Sequence, residues 1–285
     1  MVFARSLRPL TAQRALLGGL GTKPLIMIRS DIDPGWRTRF TADIEVMPYA
    51  SAVTGPSQTW IPALPQRGMI RRSAERFGRI RSVGFKGNPQ NLPPFMRQRG
   101  WVQALHAMGL QWLPDTPQQG DGSDHTWHDF SETDVAVCLR AEEVGRRSWK
   151  PATKLINAWC AGAIPLVGPE PGYQDLVTPD EDGFLVASES EVIGTLRRLV
   201  NDPGLVQATE RAIQQRARDF TTDAVLDQWW ALLRRASEVQ VSPDVLRQRR
   251  RDARRLLILT NLNRPRRRWK DSSRHSPGRP TTLAR

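Results

Sequence analysis

Polar side chains lie at helical spacing across a predicted helix start, where they favour anion binding. The segment runs Lys150-Pro151-Ala152-Thr153-Lys154 and continues to Asn157. Proline is favoured at the first position of a helix, because its missing N–H would have no partner there. The free N–H groups and the dipole at that end attract anions, so Lys150 and Lys154 are candidate ligands of a diphosphate. Lysines near a helix often form only a solvated face, and their spacing leaves both interpretations open.

Further cations precede this helix. Arg140 ends an apolar run, and Arg146 and Arg147 follow in the next loop. If they reach the same helix end, they add positive charge around a bound anion. The ordinary alternative for Arg140 is an ion pair with Glu142 or Glu143.

Apolar runs alternate with capped helices on both sides of these cations. Strands are predicted at 80–85, 110–113, 134–139, 164–167 and 184–187. This alternation is typical of βαβ units, and right-handed crossovers make the result an α/β doubly wound parallel sheet. Such sheets bind ligands beyond the carboxyl ends of their strands. The loops after Phe85, Leu139 and Val167 should therefore meet at one edge.

Helices are predicted at about 94–108 and 152–161, the second ending at Gly162 as a left-handed cap. Later helices should begin at Ser190, at Asp202-Pro203 and at Thr222, and the last of them should cross back to the N-terminal region. Before residue 80 the pattern is weaker. It indicates strands at 24–29 and 42–47, and a short helix or a leader in 1–23.

The composition is that of a globular protein with a basic extension. The chain has 285 residues, 39% of them hydrophobic, which excludes a wholly disordered protein. Its net charge is +13, and the segment from Leu246 to Arg285 alone holds 13 Arg, one Lys and two Asp. The rest is nearly neutral, which disfavours nucleic-acid binding by the whole protein. The tail is predicted to be largely unpacked, with one helical stretch at about 247–259, and to contact anionic lipid or nucleic acid weakly.

Two cysteines cannot build a disulfide framework, so Cys138 and Cys160 are interpreted as thiols in a reducing compartment. No apolar run is long enough for a membrane span. The expected location is cytoplasmic, with peripheral contact at the inner membrane surface as a further hypothesis.

The run Lys-Pro-x-x-Lys-Leu-x-Asn-Ala-x-x-Ala-Gly-x-x-Pro, from Lys150 to Pro165, resembles the donor-binding segment of GT-B glycosyltransferases. It is similar to a bacterial subgroup with a Lys-Pro-x-x-Lys-Leu pattern. The segments 127–130 and 134–137 fit the same subgroup. The continuation at 168–177 and 182–186 also resembles the GT-B donor-binding segment, so the resemblance covers about 80–236. It implies transfer of a sugar from a nucleotide-sugar donor to an unknown acceptor, with no metal or other cofactor.

The resemblance also implies roles for the cationic residues and for two glycines. Gly84 and Gly87 would let a nucleotide diphosphate approach the first loop, although Gly84-x-x-Gly87 also fits a simple turn. Arg140, Lys150 and Lys154 would neutralise the phosphates, and Arg140 and Lys154 would stabilise the leaving group as catalytic residues.

The remaining implied ligands depart from the pattern of the larger GT-B group, which has two glutamates with seven residues between them. Alignment on Ala158 and Gly162 places Trp149 and Asn157 at those positions, so both acids are missing. Asn157 would instead face the ribose or the sugar. Asp175 matches the family's acid before a hydrophobic pair, or it only caps a short helix.

Three regions are therefore predicted: a partial N-terminal lobe with a linker at 1–79, a nucleotide-sugar-binding lobe at 80–236 and a basic tail at 237–285. Two alternatives to an active transferase stay open. One is a non-catalytic GT-B-like binding or regulatory protein, favoured by the missing glutamates. The other is polyanion binding through the arginine runs 249–251 and 266–268.

Overall fold

Two parallel sheets form the framework of the computed structural model, which describes residues 2–4, 24–29, 42–116, 126–141 and 150–262. The first sheet lies in the N-terminal part of the chain, and the second holds the strands predicted around the cationic segment. The positions of Arg146, Arg147 and Trp149, and the tail from 263 onward, lie outside the described residues.

The first sheet has four parallel strands in the order β1-β2-β3-β4. Their bounds are Val2–Ala4 (β1), Leu25–Ile28 (β2), Ile44–Met47 (β3) and Gln58–Trp60 (β4). The strands predicted at 24–29 and 42–47 are confirmed. The helix or leader expected in 1–23 is wrong at its first residues, which form β1 against β2. Three residues carry too little periodicity to reveal a strand.

The second sheet confirms the predicted doubly wound α/β architecture. Its strands are Ser82–Lys86 (β5), Gln111–Asp115 (β6), Val135–Val137 (β7), Ile164–Val167 (β8) and Phe184–Leu185 (β9). Their order is β6-β5-β7-β8-β9, and every neighbouring pair is parallel. β7 and β8 are buried along their whole length, which explains why their sequences are continuous apolar runs.

Helices cover this sheet and continue beyond it. They are Arg99–Ala107 (α1), Thr153–Ala161 (α2), Pro171–Gln174 (α3), Glu189–Asn201 (α4), Pro203–Arg216 (α5), Thr222–Ser237 (α6) and Pro243–Leu262 (α7). Gly162 ends α2 with a φ of 80°, as predicted. Two caps differ from prediction by one or two residues, since the hydroxyls of Ser188 and Thr221 accept the cap hydrogen bonds of α4 and α6. Asp202 caps α5 as expected.

The helix α6 crosses back to the first sheet, as predicted. Val225, Leu232 and Ala236 of α6 are buried in one cluster with residues of the N-terminal lobe: Ile26, Ile44, Val46 and Ile61. Trp229 packs against this cluster, whereas Trp230 is 59% exposed. The helix α6 thus stabilises the N-terminal lobe by packing against the first sheet.

The basic segment is more ordered than expected up to residue 262. The predicted helical stretch is confirmed and is longer, as α7. The expectation that this stretch is unpacked is wrong at Arg249, because its side chain is buried and pairs with Asp43 beside β3. This buried ion pair helps to fix the helix against the N-terminal lobe, and a prediction based only on the repulsion between like charges missed it.

A buried network of charges fixes β5 and β7 relative to each other. The Arg72 side chain donates to Asp134 at 2.7 Å and to Glu210 at 2.5 Å. Asp134 directly precedes β7 and also accepts from Arg76 and from the backbone N–H of Ser82 in β5. Burial alone would raise the pKa of Asp134, but the hydrogen bonds and charges of the two arginines outweigh it and lower that pKa.

Candidate functional site

The order of the second sheet creates a switch point between β5 and β7. The chain leaves β5 toward β6 on one side and continues from β7 toward β8 on the other. Ligands of open parallel sheets bind in the crevice at such a point, beyond the carboxyl ends of the strands. Gly87 follows β5, Arg140 follows β7 and Glu170 follows β8, so the predicted loops do meet at this edge.

The Lys154 side chain lies inside this crevice. Its Nζ is 2.9 Å from the point where a Cβ on Gly87 would stand, and 3.8 Å from the centre of the Phe85 ring. The Nζ atom is buried and has no hydrogen-bond acceptor among the described residues. The helix α2 begins at Thr153 and not at Pro151, which makes Lys154 its second residue, in the first turn, where backbone N–H groups are free.

The Lys154 ammonium is poorly solvated, which makes it a stronger acid than an exposed lysine. Burial lowers the pKa of Lys154 to about 8, and the nearby Arg140 charge lowers it further, while Cys138 and Glu170 act in the opposite direction. A buried cation without an acceptor costs folding free energy, which an anion bound beside it would recover. This geometry is typical of a site for an anionic ligand.

Arg140 lies in the same crevice but has a partner. Its guanidinium donates to the Glu170 carboxylate at 2.7 Å and lies 5.5 Å from the centre of the Tyr173 ring. The pairing with Glu142 or Glu143 that the sequence left open falls on residues outside the described ranges. Arg140 is therefore held near Lys154 by an acid from the loop after β8.

Two further groups at this edge were not predicted from the sequence. The Tyr173 hydroxyl is buried without a hydrogen-bond partner among the described residues, and burial raises its pKa well above the usual range. Cys138, at the end of β7, is a buried thiol, and burial raises its pKa to about 12. The Pro171-Gly172 pair, which follows β8 after a short loop, was the available signal for Tyr173.

The two glycines of the first loop have different surroundings. Gly84 lies within β5, where a Cβ would be only 2.7 Å from Cγ2 of buried Thr133, so close packing explains it. Gly87 has a φ of +155°, and a Cβ on it would stand only 2.9 Å from the Lys154 Nζ, so the missing side chain makes space for the ammonium. Of the two, Gly87 is the one that lies beside Lys154.

Three other predicted ligands lie at the boundary between the lobes. The Asn157 Oδ1 accepts from the Gln66 N–H at 3.0 Å, and the Asp175 carboxylate accepts from the Ser51 N–H at 2.7 Å. Both side chains therefore join the N-terminal lobe or its linker to the second sheet. Lys150 is partly buried just before α2, and its carbonyl oxygen is 2.9 Å from where a Cβ of Gly172 would stand.

Comparison with known proteins agrees with this architecture. Residues 99–231 match the family model described as "Glycosyl transferase-like". The Anabaena protein HepE, solved in complex with UDP-glucose, aligns with a TM-score of 0.57 and 12% identity, over 82% of this chain and 78% of that chain. The pneumococcal O-GlcNAc transferase GtfA, solved with UDP and GlcNAc, aligns with a TM-score of 0.55 and 13% identity, over 79% of this chain and 55% of that chain.

No curated protein matches this chain significantly. None of the helices in the described ranges is both long and apolar enough to cross a bilayer. Two parallel sheets with flanking helices, a helix that returns to the first sheet, and the alignments with GT-B structures lead to one conclusion. The chain has the α/β fold of GT-B type, and its residues 99–231 match the glycosyl transferase-like family.

Proposed function

We propose that this protein transfers a sugar from a nucleotide-sugar donor to an acceptor, with the donor diphosphate bound at the switch point of the second sheet. The observation that carries the proposal is the buried Lys154 ammonium, which lacks an acceptor among the described residues. HepE, which has the same fold, was solved with UDP-glucose, and GtfA was solved with UDP and GlcNAc. A nucleotide sugar is thus the ligand class that best fits the fold and the crevice together.

In this proposal a phosphate oxygen of the donor accepts a hydrogen bond from Lys154. The first N–H groups of α2 lie at the same end of the helix and favour the same negative charge. Gly87 has no side chain, which lets the Lys154 ammonium lie against the loop after β5, where it would meet the phosphate. Lys150, which directly precedes this helix end, would add a second, more distant positive charge.

In the chemical step a nucleophilic atom of the acceptor forms a bond to the anomeric carbon and gives up its proton. The bond between that carbon and the terminal phosphate oxygen breaks, and the nucleoside diphosphate leaves with the bonding electrons. Negative charge on that oxygen grows in the transition state, and fixed positive charge in a poorly solvated crevice stabilises it. Lys154 supplies this charge directly. Arg140 contributes if it exchanges its Glu170 partner for the phosphate, a short movement within the crevice. We propose that this charge is sufficient without a metal ion.

A second candidate is a non-catalytic protein that only binds the nucleotide sugar. The observation that favours it is the state of Asn157, which stands where the larger group has a glutamate and is engaged by Gln66. Under this alternative the donor binds at the same crevice but no nucleotide diphosphate is released. Binding and turnover must therefore be measured separately.

The test is calorimetric titration of the wild type, Lys154→Ala and Lys150→Ala with several UDP- and GDP-sugars. Charge-assisted hydrogen bonds contribute about 1.5–3 kcal/mol, so Lys154→Ala should weaken binding about tenfold or more. Lys150→Ala should have a smaller effect, because it lies outside the helix. Thermal unfolding of each variant excludes misfolding as the cause.

Each outcome separates the hypotheses. A wild type that binds none of the donors contradicts both candidates. Equal donor binding by wild type and Lys154→Ala contradicts the phosphate role of Lys154. Binding without release of nucleotide diphosphate, measured with acceptor-containing extracts or with water as acceptor, favours the non-catalytic protein.

A further inference from the structure

The helix α7 presents a row of arginines on its outward side. The buried ion pair between Arg249 and Asp43 fixes which side of the helix faces the body. At about 100° per residue, positions 247, 251 and 254 lie on the side opposite Arg249, and position 250 lies next to them. Four exposed arginines, which we call the arginine stripe, occupy these positions: Arg247, Arg250, Arg251 and Arg254.

The stripe is a concentrated positive charge with little local compensation. Arg247 pairs with Asp244 one turn away. The other three have no acidic partner among the residues that the structure describes. The stripe spans about 10 Å along the helix, since each residue adds about 1.5 Å. Asp244 lies on the same side of the helix, so the four arginines of the stripe outnumber this acid, and the face carries a net positive charge.

We propose that the arginine stripe binds the surface of an anionic phospholipid bilayer. A bilayer presents its phosphates in a plane, and a straight stripe on a helix that is held at its back can lie flat on such a plane. The sequence of the same helix continues with the apolar run Leu256-Leu257-Ile258-Leu259, and basic and apolar residues together are typical of helices at membrane surfaces.

Nucleic acid fits the stripe less well. Arginines alone can contact nucleic-acid phosphates, but strong binding of single strands also uses aromatic side chains that stack on bases, and specific binding of duplexes uses side chains placed in a groove. The stripe offers guanidinium groups alone, without an aromatic side chain between them, and the body of the protein is nearly neutral. Lipid phosphate is therefore the ligand chemistry to which the proposal commits.

The experiment measures sedimentation of the full chain with vesicles of phosphatidylglycerol and phosphatidylcholine, against vesicles of phosphatidylcholine alone. Each arginine near an anionic surface strengthens binding about fivefold, so replacing the whole stripe by glutamine should weaken binding at least about a hundredfold. Raising the salt concentration should also weaken binding of the wild type to the anionic vesicles, because salt screens the attraction between arginines and lipid phosphates.

A matched control variant removes four positive charges from the lobe that contains the second sheet. It replaces four exposed arginines by glutamine: Arg99, Arg197, Arg211 and Arg218. This control should bind the anionic vesicles nearly as well as the wild type. Both variants change only exposed residues and should keep the wild-type unfolding temperature.

Three results would overturn the proposal. The first is wild-type binding that is equal for anionic and neutral vesicles. The second is a stripe variant that sediments like the wild type, or a control variant that loses binding equally. The third is binding of a single-stranded or duplex oligonucleotide through the same four arginines, without vesicle binding.

Discussion

Lys154 should be a residue that the protein holds at a cost to its stability. Burial lowers its pKa from 10.5 to about 8, and each unit of difference corresponds to about 1.4 kcal/mol. The charged form therefore destabilises the folded protein by up to about 3 kcal/mol. Lys154→Met removes the charge, keeps most of the volume and places a thioether beside the Phe85 ring. We expect the variant to unfold at a higher temperature than the wild type while it loses affinity for the donor.

The dependence on pH follows from the direction of the shift. The folded state releases the proton near pH 8 and the unfolded chain releases it near 10.5, so between these values the unfolded chain binds more protons. The cost is fully present below pH 8 and disappears as the pH rises toward 10.5. The stability difference between Lys154→Met and the wild type should therefore narrow over this range.

Thermal and urea unfolding of both proteins at pH 7 and pH 9.5 measures the effect. Lys86→Met is a matched control, because the Lys86 Nζ lies 3.4 Å from the Asp115 carboxylate and has an acceptor. The control should not gain stability. If Lys154→Met is less stable than the wild type at pH 7, the ammonium is satisfied in the folded protein and the argument for an anion site fails.

Two further predictions concern the same edge of the sheet. Glu170→Gln removes the negative charge that pairs with Arg140. Calorimetry should then show that free UDP binds at least about threefold more tightly, because Arg140 is free to contact its phosphates. Weaker binding would show that Glu170 instead helps to bind the ligand. Gly84→Ala should lower the free energy of unfolding, measured with urea, by about 1–3 kcal/mol, because the new Cβ would contact the Thr133 side chain. In a protein that already carries Thr133→Ala, the same substitution should cost much less. A Gly84→Ala protein that keeps its stability but loses donor binding would restore the ligand role predicted for Gly84.

The elements of the second sheet could be predicted because their signals are local. The apolar runs of β7 and β8, and the glycine that ends α2, are each readable within a few residues. The partners of Asn157 and Asp175 were not readable, because they lie 91 and 124 residues away in the chain. A polar residue next to a predicted ligand site has the same local appearance whether it binds a ligand or joins two lobes.

The contrast between Asp134 and Lys154 shows how the two kinds of buried charge differ. Asp134 is fully buried between β5 and β7, and arginine side chains and backbone N–H groups donate to it, so its charge stabilises the fold and its pKa is lowered. Lys154 lies at the opposite, carboxyl end of the same pair of strands, and the described residues offer its Nζ no acceptor. The Lys154 ammonium lies 3.8 Å from the centre of the Phe85 ring, but it has no hydrogen-bond acceptor in the described part of the chain. The proposed anionic ligand would supply that acceptor, and the predicted gain of stability in Lys154→Met is the measurable consequence of this proposal.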